Sequence, residues 1–118
     1  MRPPFDAAIT ISCTDRTRSA KFYTEVLGAV LEPDQELIGC WWYRLGPLRI
    51  SLLPNARLPS PVDRFPDQAE FLLWLDVERD DLARIRAAAD AQGGLLQDHD
   101  SMVVVRDPDG LLIEVWAR

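Results

Sequence analysis

Few side chains in this sequence have types and spacings suited to chemistry. The C-terminal stretch DPDGLLIEVWAR, Asp107 to Arg118, carries one carboxylate, Glu114, between apolar neighbours. Four roles are open to it: metal ligand, general base, contact for a bound molecule, or strand residue facing water. A divalent cation that drives chemistry needs about three or more protein ligands, so Glu114 alone makes no metal site. The single histidine, His99, sits in QDHDS, a polar turn between strands, and reads as a solvated loop residue. The two cysteines, Cys13 and Cys40, lie far apart in segments that read as strands. Reduced, mostly buried thiols fit them better than a disulfide framework or a metal pair. What remains is a set of tryptophans (Trp41, Trp42, Trp74, Trp116) with Asp76 and Arg49 in apolar, strand-like runs.

The elements that must position these residues follow from their periods. AAITIS (Ala7 to Ser12) alternates as a strand, with Ile9 and Ile11 on one face. In TDRTRSAKFYTEVLG, Thr14 or Asp15 can cap a helix, Phe22, Tyr23, Val26 and Leu27 fall on one side, and Gly28 ends it. Short extended segments follow: AVLEP, IGCWWYRLG and LRISLL. The second half repeats this order: a strand FLLWLDV, a helix RDDLARIRAAADAQGG with Leu82, Ile85 and Ala89 on one face, and a hairpin SMVVVRDPDGLLIEVWA. Ile9 and Leu73 lie 64 residues apart, Asp15 and Asp80 65, Gly28 and Gly93 65, and Gly46 and Gly110 64. A near-constant offset reads as a duplicated strand, helix, three-strand unit. The units span approximately 5–53 and 69–117 of a single domain, and residues 54–68, with four of the nine prolines, read as a linker.

With 118 residues, 47% of them hydrophobic, the chain suits one globular domain with its own core. The net charge of -6 argues against nucleic-acid and anionic-membrane partners and suits a cationic ligand. No charged segment leads into an apolar run at the N-terminus, and no apolar stretch is long enough to span a bilayer, so a cytoplasmic protein is expected.

FYTEVLG at the end of the first helix and DPDGLLIEVW in the last hairpin, within this repeated order, resemble the vicinal oxygen chelate superfamily. That superfamily includes glyoxalase I, extradiol dioxygenases, fosfomycin-modifying enzymes and bleomycin-resistance proteins. The resemblance implies an α+β fold of two βαβββ modules whose curved mixed sheets form a cup, usually completed in a homodimer. It also implies a divalent metal held by one residue on the first and one on the last strand of each module. Those positions fall on Ala8, on Leu72, on Glu114, and in LRISLL on Ile50 by offset, or on Arg49 or Ser51 after a shift of one. Only Glu114 is a usual ligand, so neither a metal nor another cofactor is expected.

Alternation then assigns the faces. Ile9, Ile11 and Cys13 pack beneath the helix and leave Ala8, Thr10 and Ser12 toward the cup. Leu73, Leu75 and Val77 leave Leu72, Trp74 and Asp76; Leu111, Ile113 and Val115 leave Leu112, Glu114 and Trp116. In LRISLL the alternation buries Leu48, Ile50 and Leu52 and turns Arg49 and Ser51 outward, since burying a guanidinium under a helix is costly. CWWYR leaves open which of Trp41, Trp42 and Tyr43 faces the cup. Trp42 is carried as the candidate.

The resulting surface holds Trp74, Trp116, Trp42, Thr10, Ser12, Glu114, Asp76 and Arg49, apolar and aromatic with a few polar groups, as small-molecule sites are. Strand tryptophans also serve cores and dimer interfaces, and Glu114 is free to pair structurally with Arg49. The leading expectation is a metal-free homodimer similar to the bleomycin-resistance branch, sequestering an aromatic or cationic compound. The alternatives are a lyase, isomerase or dioxygenase using Glu114 as base or unusual ligand, and a non-catalytic sensor or interaction module whose cup is filled by its own side chains.

Overall fold

The alternation on the first strand is reproduced in three dimensions: Ile11 and Cys13 are buried, whereas Ala8 and Thr10 are exposed. The computed structural model describes residues 8–32, 41–54 and 72–118. Cys40, most of the proline-rich linker and the starts expected for the two units, residues 5 and 69, lie outside the described residues. The element order is β1 (Ala8–Cys13), α1 (Arg16–Glu25), β2 (Val30–Leu31), β3 (Trp41–Leu45), β4 (Leu48–Pro54), β5 (Leu72–Val77), α2 (Arg79–Ala91), β6 (Leu95–Asp98), β7 (Met102–Arg106) and β8 (Leu112–Ala117). These form two four-stranded mixed sheets, β1-β4-β3-β2 and β5-β8-β7-β6, so the strand, helix, three-strand order occurs twice. In each, the first strand pairs parallel with the last, and the other pairings are antiparallel.

Both helices have local causes. Asp15 caps α1, its Oδ1 accepting from the Arg18 amide at 3.1 Å, and Gly28 takes φ 78° just beyond the helix end. The α2 helix begins one residue after Glu78, which makes no side-chain cap bond, with Asp80 and Asp81 in its first turn near the positive end of the helix dipole. Asp80 is therefore not the counterpart of the capping Asp15, and that landmark of the repeat is corrected. Phe22, Tyr23, Val26, Leu27, Leu82, Ile85 and Ala89 are all buried, as their spacing predicts. Each of the larger ones contributes roughly 1.5–3 kcal/mol of transfer free energy.

One hydrophobic core joins the two units. The helix-facing sides of both sheets, Tyr43, Ile50 and Leu52 in one and Val103, Val105, Ile113 and Val115 in the other, meet α1 and α2 in a single cluster. Packing is close at Gly94, where a Cβ would lie 3.6 Å from Cε2 of Phe22 in the first unit and only 2.8 Å from the carbonyl oxygen of Arg106, whose amide donates to Gly94 O at 2.8 Å. Gly94→Ala is expected to destabilise by about 1–3 kcal/mol, because backbone rather than a flexible side chain must give way. Urea denaturation checks this; an unchanged midpoint would mean that β7 shifts freely.

Polar contacts reinforce the join. The DPDG turn closes on itself as its residue types predict: Asp107 Oδ1 accepts from the amides of Asp109 (2.9 Å) and Leu111 (2.8 Å), and Gly110 has φ 97°. It also docks onto the first unit. The Tyr23 hydroxyl donates to Asp107 Oδ2 at 2.8 Å inside the protein, and Asp109 accepts from the Thr14 hydroxyl (2.6 Å) and amide (3.2 Å). Burial pushes the Asp107 carboxyl up, while the Tyr23 hydroxyl and the two amides pull it down.

Burial, together with the neighbouring Asp107, holds the Tyr23 phenol well above its ordinary value; burial also raises Tyr43, against Arg16. Above about pH 10 an unfolded tyrosine loses its proton while these two keep theirs, so the unfolded state binds fewer protons and stability falls as pH rises. The melting temperature is expected to drop steadily from about pH 9 to about pH 11. Tyr23→Phe removes most of that slope, and an unchanged slope in this variant would show that neither its burial nor its Asp107 bond persists in solution.

Candidate functional site

The faces turned away from the core carry the expected site residues, and the strand register decides which of them meet. On the second sheet, Trp74 lies opposite Glu114 and Asp76 opposite Trp116 across the parallel β5–β8 pair. Because the order is Trp-x-Asp on β5 and Glu-x-Trp on β8, the two indoles occupy one diagonal and the two carboxylates the other. The indoles stack, with centroids 5.0 Å apart and planes 5° from parallel. Each indole nitrogen donates to the carboxylate two residues along its own strand: Trp74 Nε1 to Asp76 Oδ1 at 3.0 Å, Trp116 Nε1 to Glu114 Oε1 at 2.9 Å. Trp74 remains 54% exposed, which leaves one face of the stack for something else. Val104, directly opposite Glu114 on β7, is buried, as is Leu112, two residues before Glu114 on the same face of β8.

On the first sheet, Thr10 lies opposite Ser51 and Trp42 opposite Ser51 from the other side, while Ala8 and Arg44 flank Arg49. The Thr10 and Ser51 hydroxyls bond each other at 2.8 Å. Arg49 donates through Nε and Nη2 to the two oxygens of Glu32, both at 3.2 Å, and its guanidinium carbon lies 4.7 Å from the Trp42 ring centroid. Arg44 reaches the same Glu32 carboxylate at 3.3 Å. Ser12 lies on this face next to Leu53, partly buried. The face of CWWYR that the pattern left open is thus resolved: Trp41 and Tyr43 pack on the core, and Trp42 turns outward.

The alternative reading, in which Glu114 pairs structurally with Arg49, does not hold. The two stand on different sheets, and their partners are the Trp116 indole and Glu32. Glu32 was missed because it follows a strand of only two residues, too short for alternation to assign its face. The mirrored Trp-x-Asp and Glu-x-Trp spacing was visible, but its meaning depends on a parallel register that the pattern does not state.

The same register tests the metal positions. Ala8 and Leu72 begin β1 and β5, and since Thr10 faces Ser51 as Trp74 faces Glu114, Ser51 is the counterpart of Glu114. The offset of 64 that pointed to Ile50 is corrected to 63, because the chain from Thr10 to Trp42 is two residues longer than that from Trp74 to Val104, and the second hairpin restores only one of them. Alanine, leucine and serine beside one glutamate do not fit a divalent metal. Among the described residues no group of three or more His, Cys, Asp or Glu side chains is placed to hold one. His99 is exposed in its turn, its Nε2 3.1 Å from Gln97 Oε1. Cys13 is buried, and its thiol is raised chiefly by that burial. No helix among the described residues is long and apolar enough to cross a membrane.

Solved structures with this architecture are numerous. The fosfomycin resistance protein FosX from Listeria monocytogenes superposes with a TM-score of 0.75 at 14% identity, covering 100% of this chain and 93% of that one. A mutant of that protein, solved with Mn(II) and 1S,2S-dihydroxypropylphosphonic acid, gives 0.73 at 12% identity, covering 98% and 93%. A glyoxalase/dioxygenase from Nostoc punctiforme gives 0.74 at 19% identity, covering 93% and 88%. At these identities the likeness establishes the fold. No curated protein sequence matches the chain. The family model of the glyoxalase-like domain matches residues 8–116, nearly the whole chain, and with the two mixed sheets and two helices it makes this protein a member of the glyoxalase-like domain family.

Proposed function

We propose that this chain is a ligand-binding member of its family that holds a planar, positively charged aromatic molecule without a metal. The observation that carries the reading is the stacked Trp74–Trp116 pair with a carboxylate on each indole nitrogen and the outer face of Trp74 open. A flat cation laid on Trp74 continues the stack and gains both ring attraction and the field of Asp76 and Glu114. On the first sheet, Thr10, Ser12, Trp42 and Arg49 are assigned ligand contacts apart from the cation's stack. A homodimer completes the cup, and sedimentation of the purified chain at twice its 13.4 kDa mass tests that part.

The enzyme reading, with Glu114 as general base or as one ligand of an unusual metal site, draws its support from the likeness to FosX. The donor set at the metal positions weighs against it. Thermal melts discriminate by ligand chemistry. A flat aromatic cation at about 100 times its Kd is expected to add about 2.7 kcal/mol of stability, whereas its neutral analogue at equal concentration adds much less. Equal effects from both, or none from any cation tested, would sink the proposal.

A further inference from the structure

The first sheet's outward face carries a surplus of hydrogen-bond donors. Arg44 and Arg49 share one carboxylate, Glu32, leaving one net positive charge. Arg49 spends only Nε and Nη2 on Glu32; among the described residues the end of its guanidinium, Nη1 with the second Nη2 proton, has no acceptor. That end is the fork that grips an oxyanion with two parallel bonds. The partly buried Glu32 carboxylate on one side and the Trp42 ring at 4.7 Å hold the guanidinium in place, with its side chain 26% exposed. Trp42 adds a second unmet donor, since its Nε1 is buried and has no hydrogen-bond partner. Ser51 is buried and Thr10 exposed, so when the Ser51 hydroxyl donates to Thr10 Oγ1 the Thr10 proton remains for a ligand. Ala8, beside Arg49 on the neighbouring strand, is exposed and too small to cover it.

We propose that this face, centred on Arg49, binds the oxyanion of a small organic acid whose flat body lies along Trp42 and whose far end carries an acceptor for the Thr10–Ser51 hydroxyls. Arg49 and Ser51 are two residues apart on β4, so the two polar ends of the ligand are about 7 Å apart. A permanent guanidinium charge thus stands next to Ala8, where the family resemblance places a metal ligand. The inference rests on assigning Arg49, Trp42 and Thr10 to binding and is separate from the cation reading of the second sheet.

The test is a titration of the nitrogen-15-labelled protein with para-hydroxybenzoate, benzoate and inorganic phosphate, followed by NMR at the Trp42 Nε1–H and Arg49 Nε–H signals. Trp42→Phe and Arg49→Lys assign those signals. The expected result is a saturable shift of both with para-hydroxybenzoate and weaker binding of benzoate. Arg49→Lys, which keeps the charge but loses the fork, is expected to lower affinity about tenfold. Asp90→Asn, an exposed change on α2 away from the outward faces of both sheets, leaves the affinity unchanged. Unmoved signals would overturn the inference, as would shifts no larger than those of the exposed Arg79 and Arg118. Inorganic phosphate binding as tightly as the aromatic acid would overturn the assignment of an organic acid.

Discussion

Asp107→Ala is expected to lower the stability of the folded chain by about 3–5 kcal/mol, the largest effect of any single substitution outside the apolar core. The carboxylate of Asp107 receives three donors in a nearly water-free place: the amides of Asp109 and Leu111 and the hydroxyl of Tyr23. Alanine leaves all three without acceptors, and each unmet buried donor costs roughly 1–3 kcal/mol. Because small domains have only about 5–15 kcal/mol in all, this variant is close to unfolding. Asp107→Asn keeps the Oδ1 acceptor for the two amides, and the Tyr23 hydroxyl can turn to accept from the new amide, so its cost is expected to be about 1–2 kcal/mol. Urea midpoints of the two variants check the difference; equal midpoints would mean that the turn does not depend on its acceptor.

The second large effect concerns ligand affinity. Trp74→Leu removes the open face of the stack while keeping an apolar strand residue, and it is expected to weaken binding of a planar aromatic cation by about tenfold or more. Asp76→Asn should weaken it by a smaller factor, because Asp76 is exposed and water screens its charge. Raising the salt concentration should shrink the Asp76 effect and leave the Trp74 effect standing. Isothermal titration of both variants at low and high salt measures this. A Trp74→Leu protein that binds as well as the parent would place the ligand elsewhere.

Strand faces and helix bounds were legible because they depend on local period. The alternation of Ile9, Ile11 and Cys13, and the decision to turn Arg49 rather than Ile50 outward, follow from the cost of burying polar groups, and the structure agrees. Counting residues between repeated landmarks was less secure. The offset drifts from 64 on the first strands to 63 on the last because the two units differ in length between their first and third strands and again in their hairpins, and Asp80 misleads because α2 starts without a capping side chain. Pairings between distant segments were not legible at all. Nothing local to Arg49 names Glu32 as its partner, and nothing local to DPDG says that its second aspartate docks on Thr14 at the start of the first helix. The individual site residues were therefore readable, while the clusters they form required the register.

The central claim, that the second sheet binds its ligand through the indole pair and Glu114 without a metal, is tested most directly by one titration. Chelator-treated protein and its Glu114→Gln variant are titrated with bleomycin-type and other planar aromatic cations, following tryptophan fluorescence. Saturable quenching, unchanged by chelation and weakened in the variant, is expected. Silence from every compound, with activity or binding appearing only after a divalent metal and an oxygenated substrate are added, would contradict it and make Glu114 part of a catalytic metal site.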